Sequence, residues 1–295
     1  MAVSTVDGII CHALKSDKYS ASKRVQTLWE GYGSIERITN IRNGVCPTAI
    51  IKHVRLKQGR DSSVGHQRKR RSYIVETEFY HRYGAQLCGE NSPCRIPQAY
   101  ASSTAIPDEI VLVLEDLDAA GFMLRRHSLN ASEMKASLTW LAHFHAHFMQ
   151  RPPAGIWEVG TYWHLATRQE EYERMRPGRL KREAANLDQQ LLDAAFQTFV
   201  HGDAKPANFC FAADGRVAAV DFQYVGQGCG MRDVAYLLHG EGAHEDAMLD
   251  HYFGQLRAAL AANRRGDIPF AALEDEWRRL YPVAKDDFER FLQGW

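Results

Sequence analysis

The segment His201-Gly-Asp-Ala-Lys-Pro-Ala-Asn208, followed by Val220-Asp221-Phe222, restricts what this chain can fold into more than any other stretch. Gly202 and Pro206 interrupt regular structure, so Asp203 and Asn208, five positions apart, belong to a loop and not to one helix face. Asp221 lies thirteen positions beyond Asn208, at the end of the apolar run Val217-Ala-Ala-Val220. Between them Asp214-Gly215 predicts a hairpin turn. A hairpin closing there returns Asp221 to the side of the loop.

Two carboxylates and an amide oxygen gathered in this way suit phosphoryl transfer. That reaction needs an oriented acceptor hydroxyl, screened phosphate charge and an in-line leaving group. Asp203 is the candidate base or hydroxyl-orienting residue. Asn208 and Asp221 supply one neutral and one anionic oxygen, a hard donor set suited to magnesium. Lys205 is a candidate to neutralise charge on the transferred group. His201 reads as a brace for the loop rather than as a base.

Upstream, the chain reads as strands and turns. Val25–Trp29, Ser34–Ile38 and Pro47–Val54 form a predicted antiparallel meander, with Lys52 near the centre of its third strand. Residues 57–71, which include the basic run Arg68–Arg71, read as a mobile surface loop. From Ser72 a helix is expected, with Val75, Phe79, Tyr83 and Leu87 as its buried stripe. Cys94–Tyr100 and Ile110–Leu114 are two further strand candidates. Beyond a linker at 118–121 the pattern turns helical. Met134, Leu138, Leu141, His145 and Phe148 predict a helix over 131–149. Further helices are expected within 165–199, broken near Pro177-Gly178, and over 230–240, 243–263 and 271–292.

Charge and composition narrow the function classes. With 36 basic and 36 acidic residues the formal net charge is zero, which argues against a nucleic-acid partner. There is no run of apolar residues long enough to span a membrane and no signal-peptide pattern, and the six cysteines form no close pair. Together these lead to the expectation of a cytoplasmic protein with reduced thiols. His143, His145 and His147 do not share one helix face and lack a nearby carboxylate, so a metal reading is not favoured. The aromatic residues Trp157, Tyr162, Trp163, Trp277, Tyr281 and Trp295 read first as packing and second as a lining for an acceptor pocket.

At these motifs the chain resembles the kinase-like phosphotransferases, a group that includes aminoglycoside phosphotransferases, choline kinases and ecdysteroid kinase-like proteins. The shared loop is His201-Gly202-Asp203 with Asn208, and the metal motif is Val220-Asp221-Phe222. Gln223 and the later Asp233-Val-Ala-Tyr236 are most similar to the ecdysteroid kinase-like, or CHK kinase-like, branch. The resemblance implies an α+β, protein-kinase-like fold of two lobes: an antiparallel-sheet N-terminal lobe over 1–117 and a mostly helical C-terminal lobe over 118–295. It further implies that Lys52 holds nucleotide phosphates and pairs with Glu76, and that backbone atoms of Glu115 and Leu117 meet adenine. ATP and magnesium are the implied cofactors, and a small-molecule alcohol is the implied partner. Gly31-Tyr-Gly33 is shorter than the usual glycine-rich loop of protein kinases.

The leading expectation is therefore an ATP-dependent small-molecule O-phosphotransferase. Its rivals are an inactive nucleotide-binding pseudokinase or scaffold, and an antibiotic phosphotransferase of the aminoglycoside type. The latter would require an acidic acceptor cleft. A protein kinase is disfavoured, because Asp221 is followed quickly by Gly226 and Gly230 and a helix, with no Ala-Pro-Glu motif. The sequence selects neither the acceptor nor ATP over GTP, and it leaves the oligomeric state open.

Overall fold

A computed structural model describes residues 5–56, 63–240 and 242–295. The N-terminal part is a five-stranded antiparallel sheet in the order β1-β2-β3-β5-β4. Helix α1 (Val6–Ala13) precedes β1 (Ala21–Thr27), β2 (Gly33–Thr39) and β3 (Thr48–Arg55). Helix α2 (Val64–Tyr83) then crosses to β4 (Ala99–Ser103) and β5 (Glu109–Glu115).

The alternation of a strand explains why this sheet is covered on both faces. On β5, Val111 and Val113 join Ile38 and Ile51 under Ile9 and Ile10 of α1 and Leu14 just beyond it. Ile110, Leu112 and Leu114 face the opposite way, into the core that holds Val75 and Phe79 of α2. Both faces of β5 are thus apolar, which is why its sequence is a continuous run rather than an alternating one. Lys52 pairs in register with Leu112, so it emerges on the α2 side of the sheet.

Helix α2 begins earlier than the sequence predicts. Ser63 caps it, its Oγ accepting from the His66 N–H at 3.3 Å. The basic run Arg68–Arg71 therefore lies in the first two turns of a helix, not in a surface loop. Lysine and arginine are good helix formers, and Lys69, Tyr73, Glu76 and Tyr80 then fall on one face. The rest of the expected loop, 57–62, lies outside the described residues.

The C-terminal part is mostly helical. After β6 (Leu124–Arg125), α3 (Ala131–Phe148) opens with a capping box between Asn130 and Glu133. Helices α4 (Gln169–Arg174) and α5 (Arg179–Leu192) follow, parted at Pro177-Gly178 as expected. Short strands β7 (Thr198–Val200), β8 (Phe209–Phe211), β9 (Val217–Ala219) and β10 (Gly226–Gly228) surround the 201–208 loop. Helices α6 (Met231–Leu237), α7 (Glu245–Ala262) and α8 (Phe270–Leu292) complete the fold, with α7 packed on α3 and both α5 and α6 on α8. The molecule is thus a two-lobed α+β fold. Helix α1, β6, β7 and β10 were not anticipated; three of these are strands of two or three residues, too short to leave a periodic signal. The fourth expected strand is displaced to Ala99–Ser103, and Arg95 makes only an isolated bridge to Ala218. Among the described residues no helix is long and apolar enough to cross a membrane.

Candidate active site

The 201–208 loop is held from below by one carboxylate. Asp233, at the start of α6, accepts from the His201 N–H at 2.6 Å and the Gly202 N–H at 2.9 Å. His145 of α3 reaches the same carboxylate through Nε2 at 3.2 Å, while its Nδ1 meets the Tyr252 hydroxyl at 2.7 Å. His145 is therefore part of a buried pillar under the loop. The His201 ring reaches the Val220 carbonyl at 3.0 Å and so ties the loop to the strand end beside Asp221. Gly202 has a φ of +79°, and a Cβ there would meet the Tyr224 carbonyl oxygen at 2.1 Å. No other residue fits this position.

Asp203 is buried in the centre of this arrangement. Its Oδ2 accepts from Lys205 Nζ at 2.9 Å and from the Asn208 amide nitrogen at 2.9 Å. Asn208 also donates to the Asp203 carbonyl at 2.8 Å, which directs the amide oxygen away from Asp203. Asp203 Oδ1 has no hydrogen-bond partner among the described residues. Burial lifts the Asp203 carboxyl above the ordinary aspartate range, with Lys205 offsetting only part of the effect. The phenols of Tyr236 and Tyr162 lie close enough to feel the Asp203 charge, and burial holds both above the usual tyrosine range.

Asp221 stands at the end of the predicted hairpin in a left-handed conformation, φ +69°, which is uncommon for a residue with a side chain. Gln223 Nε2 donates to its Oδ1 at 2.7 Å, and Lys52 Nζ lies 3.7 Å from the same oxygen. Burial pushes the Asp221 carboxyl up, but the charges of Lys52, Lys69 and Lys205 outweigh it and leave the group below its ordinary value.

Lys52 and Glu76 form the expected pair, Nζ to Oε2 at 2.6 Å, with both side chains almost fully buried. Burial opposes both charges. For Lys52 the carboxylates of Glu76 and Asp221 prevail, and the ammonium is held above its ordinary range. For Glu76 burial and the like charge of Asp221 outweigh Lys52, and its carboxyl is pushed up. The neighbouring Phe222 is fully buried and stacks on Phe79 of α2, with ring centroids 4.3 Å apart. One aromatic contact thus joins the helix that carries Glu76 to the turn that carries Asp221.

A cleft of about 460 Å³ opens above these groups. Val25, Leu28 and Ile35 line its roof, Leu114 to Leu117 its back, and Val220 its floor, with Lys52, Asn208 and Asp221 at the polar end. Such a slot has the size and mixed lining of a cofactor site. Glu115 and Leu117 both line it. The Glu115 side chain itself is engaged elsewhere, with Arg95 Nη2 at 2.6 Å. At the mouth, Arg37 of β2 forks onto Asp116, at 2.7 Å and 3.0 Å, and clamps the roof to the back.

Sequence reasoning missed Lys69. Its Nζ donates to Gln223 Oε1 at 2.9 Å and lies 4.9 Å from the centre of the Tyr73 ring. Burial lowers its pKa, an effect that Asp221 partly offsets. The signal was its spacing of seven from Glu76 on a helix whose start was placed too late. Of the aromatic residues singled out, Trp163 and Trp277 are core, whereas Trp295 is exposed.

The fold and this cleft define a kinase-like molecule with its polar centre between a sheet lobe and a helical lobe. The chain matches the phosphotransferase enzyme family over residues 54–267 and belongs to it. No curated protein sequence matches it significantly. Its fold is similar to that of amicoumacin kinase solved with AMP-PNP, Ca2+ and its ligand, at 17% identity and a TM-score of 0.54, over 88% of this chain and 79% of that one. Choline kinase LicA from Streptococcus pneumoniae is similar at 15% identity and a TM-score of 0.52, over 98% and 96%. A choline kinase from Cryptosporidium parvum gives a TM-score of 0.57 at 8% identity, over 93% and 83%.

Proposed function

We propose that this protein is an ATP-dependent phosphotransferase that moves the γ-phosphate of ATP to a hydroxyl of a small-molecule alcohol. The observation that carries this reading is Asp203 Oδ1, a buried carboxylate oxygen with no well-formed hydrogen bond among the described residues, the Tyr236 phenol lying beside the carboxylate. An acceptor O–H supplies that bond. A carboxyl lifted by burial is also a stronger base than an exposed aspartate, which suits removal of an alcohol proton.

In this reading the purine lies between Val25, Leu28 and Val220, against the backbone of Glu115 and Leu117. Lys52, fixed by Glu76, holds the phosphates. The Asn208 amide oxygen and Asp221 fit magnesium as hard donors and would hold it there. No group of three His, Cys, Asp or Glu side chains forms a metal cage among the described residues, and a nucleotide-bound magnesium needs none. When bound, the metal would supply neutralisation of phosphate charge. The alcohol oxygen forms a bond to the γ-phosphorus as the bond to the β-phosphate oxygen breaks. ADP departs with the bonding electrons, and the alcohol proton passes to Asp203. Lys205 balances charge at Asp203 and at the moving phosphoryl group. Closure of the lobes keeps water from competing as acceptor. Gln223, bridging Asp221, Lys69 and Ser72, supports placement in the ecdysteroid kinase-like branch.

The test is ATP-dependent phosphorylation of an alcohol library, read by mass spectrometry. Asp203→Asn keeps the shape and removes the base, and kcat is expected to fall about 10³-fold. Undiminished turnover in that variant would remove Asp203 from the mechanism.

A further inference from the structure

A second cavity, of about 390 Å³, lies where the start of α2 meets α4 and the segment before it. Its floor is built from Arg68, Arg168 and Glu171. Arg168 Nη1 is 2.9 Å from Glu171 Oε1, and Arg68 Nη2 is 3.8 Å from the same oxygen. The three side chains are only 14%, 5% and 6% exposed, for Arg68, Arg168 and Glu171 respectively. Two guanidinium groups thus share one carboxylate out of water. Arg68 also donates to the Thr167 carbonyl at 2.6 Å, and Arg168 to the Tyr162 carbonyl at 2.5 Å, but neither contact supplies negative charge. Glu30, Glu170 and Arg174 lie on the exposed rim of the cavity, where water screens them. Trp29 and Trp295, 56% and 71% exposed, line it as well.

A buried excess charge is costly unless a counter-ion completes it. Burial, and then the like charge of Arg168, depresses the Arg68 pKa, the direction expected of an incompletely paired cation. The cavity also adjoins the candidate chemistry. The Tyr224 backbone packs directly on Gly202 beside Asp203, and its ring lies 5.9 Å from that of Tyr162. The Tyr162 N–H donates to the Gly202 carbonyl, next to Asp203, at 3.0 Å, and its ring centre lies 5.4 Å from the Arg168 guanidinium. A molecule with its hydroxyl at Asp203 would therefore extend past one tyrosine to the arginine pair.

Resting on the phosphotransfer reading above, we infer that this cavity is the acceptor subsite and that it takes an alcohol carrying an anionic group, a carboxylate or a phosphate, next to an apolar face. Arg68 and Arg168 hold the anion. Glu171 Oε2, buried with no partner among the described residues, accepts an N–H or O–H of the same ligand. The tryptophans cover the apolar part. At the buried floor a cationic alcohol meets the opposite charge balance, two arginines against one carboxylate.

The test uses full-length protein saturated with magnesium and the non-reactive nucleotide AMP-PNP, so that added anion cannot enter the nucleotide cleft. Phenyl phosphate and benzoate are titrated against benzylamine, with tryptophan fluorescence as the signal. Saturable binding of the anions and none of the amine is expected. Arg68→Gln should weaken anion binding about tenfold, and Arg68→Lys should retain most of it. Phenyl phosphate against benzoate tells a phosphate preference from a carboxylate one. Equal binding of benzylamine, or anion binding unchanged in Arg68→Gln, overturns the assignment. If that variant does not fold, the anion-versus-amine contrast in the parent decides. The readout is independent of turnover. Anion binding without phosphorylation of any alcohol faults the reaction, and efficient phosphorylation of a cationic alcohol faults the subsite.

Discussion

The nucleotide cleft and the second cavity are built on different electrostatic terms. On the nucleotide side Lys52 meets Glu76 at 2.6 Å and Asp221 at 3.7 Å, so the buried cation has its counter-charges already in place. On the other side Arg68 and Arg168 share Glu171, and one positive charge is left over. Helix α2 supplies both Glu76 and Arg68, two turns apart. The difference teaches that a single helix can present a finished site at one end and one awaiting a ligand's charge at the other.

The sharpest way to break this comparison is at Asp221, the group the nucleotide side converges on. Asp221→Asn removes the anionic metal oxygen, and kcat is expected to fall about 10³-fold in a steady-state assay with saturating ATP. Next comes Lys52→Met, which leaves Glu76 buried without its partner. A loss of about 10²-fold in kcat/KM for ATP is expected, with acceptor KM little changed. A matching rise in acceptor KM would show that the two ends are not separable. Phe222→Ala probes the joint between the Glu76 helix and the Asp221 turn. It should destabilise the protein by about 3–5 kcal/mol in urea denaturation, since a fully buried ring would leave a cavity among aromatic neighbours.

The pH profile separates the two aspartates. Burial raises the Asp203 carboxyl, so as pH falls it is protonated earlier than an ordinary aspartate. The acid limb of kcat/KM is expected above the usual carboxylate range of about 4, and a limb at or below that value would contradict the base assignment. Asp221 has the opposite sign. Its folded-state pKa is depressed, so the stability it contributes is present above its unfolded value and is lost as pH falls through the lower folded one. The smallest effect belongs to Lys69→Met, about fivefold in kcat, because Lys52 and Lys205 still face the phosphates.

Much of this arrangement was legible in the sequence, for reasons that can be named. The loop-hairpin at 201–221 was readable because Gly202, Pro206 and Asp214-Gly215 dictate local backbone geometry, and Asp203, Asn208 and Asp221 inherit their places from it. The α3 helix was readable from the spacing of Met134, Leu138, Leu141 and Phe148. The start of α2 was not readable in this way. Its first two turns are charged, and what orders them is tertiary: Arg68 on Thr167, Lys69 on Gln223, Arg71 on the Ile156 carbonyl at 3.3 Å. A basic run alone does not distinguish a solvated loop from a helix that turns its charges inward. The incomplete pairing of Arg68 and Arg168 was equally invisible, because the two residues are a hundred positions apart and their shared carboxylate lies three residues beyond the second.

The Phe79–Phe222 stack described above also fixes what kind of motion this molecule can use. Turning α2 by a single residue, about 100°, would withdraw Glu76 from Lys52 and pull the ring away from the Asp221 turn in the same movement. The Lys52–Glu76 pair and the Asp221 turn are therefore geared to one shaft, and a contact that rotated α2 would act on both at once.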